Sequence, residues 1–167
     1  AADNFDNLYV TGFYRNITTF GGDTLVDEYA SGDRKFFLAY YNFSVPQWDW
    51  AITSVGNGLV EPFQIVQEPS TNSVYIVGYN TGYEEWDNGS FYSNPSSTWA
   101  GVLLKYNDSG GFQWGKSISG AQCPFGSNCG VYFNNVIIHP NGGIVVGGNF
   151  VGTYVPNTGA PISGYGD

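Results

Sequence analysis

Asn7-Leu-Tyr-Val-Thr-Gly12, Ser73-Val-Tyr-Ile-Val-Gly78 and Gly143-Ile-Val-Val-Gly-Gly148 are one short strand written three times. Each is built of β-branched and aromatic residues closed by a glycine, a pattern that suits a pleated, half-buried surface. A second strand type recurs as Phe36-Phe-Leu-Ala-Tyr-Tyr-Asn42 and Gly101-Val-Leu-Leu-Lys-Tyr-Asn107. A third recurs as Trp48-Asp-Trp-Ala-Ile-Thr-Ser54 and Phe112-Gln-Trp-Gly-Lys-Ser-Ile118, and a fourth as Pro62-Phe-Gln-Ile-Val-Gln67 and Phe133-Asn-Asn-Val-Ile-Ile138. All four recur at nearly the same interval, which identifies an internal repeat.

Turn chemistry separates the strands. Asn42-Phe-Ser-Val-Pro46 and Asn107-Asp-Ser-Gly-Gly111 join the second type to the third. Pro69-Ser-Thr-Asn72 and Pro140-Asn-Gly142 join the fourth to the next first. Asn, Pro and Gly supply the dihedrals that hairpins need. The longer connections, Arg15 to Asp33 and Asn80 to Thr98, are where binding residues would sit on a rigid scaffold. The expected fold is therefore all-β: tandem four-stranded antiparallel β-propeller-like blades, about two blades plus an extra strand. Residues 1–167 form one repeat domain with units at approximately 4–69 and 70–140 and a partial unit at 141–167.

The motifs Asn-x-Tyr-Val-x-Gly at Asn7–Gly12 and Gly-x-x-x-Trp at Gly110–Trp114 resemble the secreted β-propeller repeats of bacterial surface proteins. That resemblance implies an extracellular or cell-surface setting and an architecture rather than an activity. The repeat interval exceeds the usual blade length, so long loops would absorb the excess.

The ends cut through a repeat. Ala1-Ala2-Asp3 reads as the tail of a fourth-type strand, and Asp167 aligns with Asp33. Two blades cannot close a ring, and their edges would stay unpaired. Three readings stand: a segment of a longer repeat protein, copies that complete one another edge to edge, or sheets packed as a sandwich.

Composition narrows the function. Fourteen acidic residues against five basic ones give a net charge of −9. The basic residues form no cluster, which argues against nucleic acid and anionic lipid as partners. No apolar run is long enough to insert into a membrane as a helix. No signal peptide is legible, so a secreted protein would appear here in mature or truncated form. Cys123 and Cys129 bracket a turn-rich stretch and are expected to form a local disulfide, contributing roughly 2 kcal/mol in the chain-entropy model. With one His in the chain, no metal site or cofactor is expected.

No catalytic centre is expected either. His139 precedes Pro140 in a turn, and no nucleophile motif lies near it. Glu84-Glu85-Trp86-Asp87 is the densest acidic and aromatic patch, but neighbouring residues on an extended segment point to opposite sides. Candidate N-glycosylation sequons begin at Asn16, Asn42, Asn88 and Asn107. Tyr83, Trp86 and Trp99 are candidate glycan contacts, since aromatic faces beside Asn and Asp suit sugars. The leading expectation is a non-enzymatic extracellular structural or adhesive building block that self-assembles through its strand edges into a filament or surface layer. The alternative is a glycan-binding propeller module, with carbohydrate as the partner.

Overall fold

The computed structural model describes residues 1–29, 32–86, 91–93, 99–119, 129–154 and 162–164, and no helix occurs among them. In chain order the strands are β1 (Leu8–Tyr14), β2 (Ile17–Phe20), β3 (Asp23–Val26), β4 (Lys35–Asn42), β5 (Gln47–Thr53), β6 (Val55–Gly56), β7 (Leu59–Glu68) and β8 (Ser73–Thr81). They continue with β9 (Glu84–Trp86), β10 (Phe91–Ser93), β11 (Ala100–Tyr106), β12 (Phe112–Ser119), β13 (Gly130–Ile138), β14 (Ile144–Tyr154) and β15 (Ile162–Gly164).

The chain is all-β, in several antiparallel sheets, none closed on itself. The most complete sheet has the order β7-β8-β11-β12. It is a meander of a fourth-type strand followed by a first, second and third. The sheet thus begins one strand earlier than the sequence units do, because the tight Pro69–Asn72 turn makes β7 and β8 a hairpin. A sheet β1-β4-β5 lies on one side of it and a sheet β13-β14-β15 on the other. Ala2 bridges to Leu8, and Ala1 and Tyr9 exchange two backbone hydrogen bonds. The first residues therefore stand where β7 stands in the middle sheet.

Alternation on the middle sheet explains the layering. Val74, Ile76, Val102 and Leu104 pack with Tyr9, Phe36 and Leu38 of the first sheet. From the other face, Tyr75, Val77 and Leu103 pack with Val136, Ile144 and Val146 of the third. Successive residues of β8 are buried on opposite faces, so this strand has no solvent side along Ser73–Gly78. Each aliphatic side chain buried this way contributes on the order of 2 kcal/mol.

Irregularities repeat with the strands. β7 carries a bulge between Pro62 and Gln64 opposite Gly78, and β13 carries one between Phe133 and Asn135 opposite Gly148. β4 and β5 shift register between Tyr40 and Tyr41, and β11 and β12 do so between Lys105 and Tyr106. Bulges that recur at equivalent places are features of the repeat, because they set strand twist and hence sheet packing.

The two long connections are not plain loops. The first carries the hairpin β2–β3, whose Phe20 and Leu25 cover the outer face of the first sheet with Tyr14, Ala39 and Ala51. Asp23 Oδ2 accepts the Ala51 N–H at 2.8 Å, which pairs a donor on the β5 edge. The second connection carries β9–β10, with β9 paired to β6.

Candidate functional site

An acidic and aromatic cleft of about 310 Å³ opens where the turns of the middle sheet meet the first sheet. Tyr9, Tyr40 and Trp50 form its floor, Asp3 and Phe5 one wall, and Asn72, Asp108 and Ser109 the other. Each element places its residues for a local reason. Asp6, at φ 64°, turns the chain so that Asp3 faces the sheet. Asn72, at φ 55°, closes the β7–β8 hairpin in a conformation Asn tolerates well. Gly110 lies so close to Trp50 that an added Cβ would come within 3.0 Å of the indole.

Tyr40 and Trp50 stack with centroids 5.7 Å apart at 11°, and Tyr9 tilts against both. The Asp3 carboxylate accepts the Phe5 and Asn7 N–H groups at 2.8 and 2.9 Å, the Asn7 side-chain amide at 3.1 Å and the Tyr40 hydroxyl at 2.9 Å. Burial alone would raise its pKa, but these donors outweigh it and hold the carboxyl below its ordinary value. Burial and then the Asp3 carboxylate push the Tyr40 phenol up to about 12. The cleft therefore offers aromatic surface, an ionised carboxylate and a neutral phenol oxygen that can accept, since Tyr40 already donates its O–H to Asp3. That combination suits a polyhydroxylated ligand, with an apolar platform and a hydrogen-bonding rim. Sequence reading missed this site because Asp3, Tyr40, Trp50 and Asp108 come from four separate segments.

The residues singled out from sequence are distributed differently. Trp86 is 1% exposed and belongs to the core between the first and middle sheets, which corrects its reading as a surface platform. Its burial follows from β9, which turns Glu84 and Trp86 inward and Glu85 to the half-buried side. Tyr83 donates its hydroxyl to Glu85 and its N–H to Asn57 Oδ1 at 3.2 Å. Trp99 bridges to Gly130 and packs against Tyr79 and Tyr132, with centroids at 6.3 and 4.9 Å. Beside that cluster Phe63 is exposed on its bulge, the Tyr79 hydroxyl bonds Glu61 at 2.8 Å, and Arg34 pairs with Glu61. Only Trp99 of the three candidates thus sits in a half-exposed aromatic group.

Among the sequons, Asn42 and Asn107 are equivalent in structure as in sequence. Asn42 Oδ1 accepts the Ser44 N–H at 2.9 Å, and Asn107 Oδ1 accepts the Ser109 and Gly111 N–H groups at 3.0 and 2.7 Å. Both side chains shape their turns. Asn16, at φ 63°, turns the chain between β1 and β2. Asn88 lies outside the described residues, as does Cys123. Cys129 is buried and is not a free cysteine. His139 is exposed in the β13–β14 turn, its Nδ1 2.7 Å from Asn141 Oδ1.

A second polar assembly is wholly interior. Lys35, Glu84 and Asp27 are 1%, 0% and 5% exposed. Lys35 Nζ donates to Gly56 O at 2.6 Å, Gly58 O at 2.7 Å and Glu84 Oε1 at 2.9 Å, with Asp27 Oδ1 at 4.0 Å. Burial raises the Glu84 pKa, and Lys35 opposes that rise. The first-sheet face of Lys35 is thereby tied to the β5–β7 connection and to β9.

The fold defines a class, an all-β protein of several open antiparallel sheets. No protein-family model, curated protein or solved structure matches the chain.

Proposed function

We propose that the chain is a non-enzymatic extracellular building block of β-propeller-like blades that assembles through its sheet edges and open faces. One observation carries this reading. Tyr9 and Tyr75 occupy equivalent positions in successive repeats, and each is buried against the next sheet, at 2% and 4% exposure. The equivalent residue in the third sheet, Val145, is 48% exposed, and its cross-strand partner Ile137 is 56% exposed. The same face is covered twice and bare the third time, so it fits a further sheet of the same kind. Among the described residues the β1 strand is also an edge, bridged near its start by Ala2. Exposed edges and paired apolar residues favour strand addition and sheet stacking.

Light scattering across a concentration series tests this. Assembly is expected, and Ile137→Asp with Val145→Asp should reduce it to single chains. A chain that stays monomeric at every concentration overturns self-assembly.

The cleft favours a second reading, a glycan-binding module. Trp50→Ala should then abolish retention on immobilised oligosaccharides while leaving the β-sheet circular dichroism unchanged. Retention equal to that of the unaltered chain would remove the cleft from consideration. Trp86→Ala is unsuitable as a probe because it empties the core.

A further inference from the structure

We propose that Lys35 and Asp27 form an intramolecular isopeptide bond, with Glu84 as its proton carrier. The inference stands on the interior assembly alone and holds for either functional reading.

The three side chains needed for amide formation are gathered in one buried site. Asp27 Oδ1 is 4.0 Å from Lys35 Nζ, and both side chains are 2% exposed or less. The fold keeps the pair close, and a small approach of Nζ separates this arrangement from the near-attack geometry that gives high effective concentration. Glu84 Oε1, at 2.9 Å, is in position to receive a proton from Nζ. The Asp27 carboxyl accepts the Tyr29 N–H on Oδ1 and the Gly32 N–H on Oδ2, both at 3.3 Å. These donors face the oxygens on which charge develops when an amine adds to the carboxyl carbon. Gly32 supplies its N–H from φ +70°, a conformation that favours glycine.

Charge points the same way. Two carboxylates surround one ammonium in a site closed to water, and buried ions suffer a desolvation penalty that pairing only partly offsets. Amide formation removes one ion of each sign and leaves Glu84 without a cation, so burial favours the protonated Glu84 carboxyl in the linked chain. Among the described residues Glu84 Oε2 has no hydrogen bond of acceptable geometry, with the Ser54 hydroxyl near enough to lower the carboxyl's pKa.

The reaction balances without oxidant or cofactor. Lys35 Nζ bonds to Asp27 Cγ while one Cγ–O bond breaks. Two of the three Nζ protons pass through Glu84 to the departing oxygen, which leaves as water. The bond-forming step itself returns Glu84 to the state in which it began. The one N–H left on Nζ donates to a single carbonyl of the Gly56 and Gly58 pair.

Mass spectrometry of the full chain, reduced and denatured, tests the proposal. The expected mass is one water below that of the sequence. Trypsin cleaves after Arg15, Arg34 and Lys105, so the linked chain yields residues 16–34 joined to residues 35–105 as one branched peptide. Glu84→Gln, checked for native circular dichroism, should restore the full mass and the separate peptides. A native chain of full sequence mass whose two peptides separate overturns the proposal. So does a loss of one water that maps within residues 35–105, since that would join Lys35 to Glu84 instead.

Discussion

Gly78→Val is expected to leave the chain unfolded. A Cβ at Gly78 would lie 2.2 Å from Glu61 O and 2.8 Å from Pro62 Cα, and both obstacles are backbone. No rotamer change relieves them, so β7 would have to separate from β8 at its bulge. Overpacking that displaces backbone reaches the upper range of single-site effects, about 4 kcal/mol or more, which is comparable to the whole stability of a small domain. Gly148 repeats the constraint, since a Cβ there would meet Tyr132 O at 2.0 Å. Gly22 has no atom within 4 Å of an added Cβ, so Gly22→Ala should stay within about 0.5 kcal/mol of the unaltered chain. Urea unfolding followed by tryptophan fluorescence distinguishes these outcomes. A Gly78→Val chain with an unchanged midpoint would mean that Pro62 and Gly78 are not partners.

In the unlinked chain, Lys35→Met should cost roughly 3–5 kcal/mol, because it leaves Glu84 and Asp27 buried without their cation. Its pH dependence has a defined sign. Burial raises the Glu84 pKa above its ordinary 4.5, and Lys35 opposes the rise. The folded chain therefore binds this proton more tightly than the unfolded chain does. Stability from Glu84 is fully present below pH 4.5 and is lost as pH rises through the folded value. Removing Lys35 takes away the opposing influence and moves the folded value further up. The destabilisation should accordingly be largest near neutrality and shrink on acidification towards pH 4.5. Asp3 and Glu68, whose pKa values are lowered, contribute in the opposite direction as pH falls. The difference between variant and unaltered chain isolates the groups around Lys35, namely Glu84 and Asp27. A penalty independent of pH would show that Glu84 is not the group left uncompensated.

Part of the acidic and aromatic surface was readable and part was not. The hairpin β2–β3 carries a legible signal, since Ile17–Phe20 and Asp23–Val26 flank Gly21-Gly22, a two-residue turn pair. It was concealed by its place inside a connection between longer repeated strands. Glu84-Glu85-Trp86 looked like an exposed patch because its residues are charged and aromatic. In the fold Glu84 meets Lys35 and Trp86 fills the core, and neither fact follows from their spacing. Burial of a Glu depends on a cation 49 positions away, and local pattern carries no information about that pairing.

The sequence by itself determined the strand types, their order, their hairpin turns and the all-β class. These depend on alternation and on Gly, Asn and Pro dihedrals, which act over a few residues. It also exposed the repeat, whose equivalent glycines and bulges then recur in space. Only the tertiary structure decided the frame in which strands join into sheets and which faces stack. Tertiary structure alone assembled the Asp3–Tyr40–Trp50–Asp108 cleft and enclosed Lys35 with Asp27 and Glu84. Those groupings bring together side chains from distant segments, and what joins them is sheet packing and desolvation rather than any local preference of the chain.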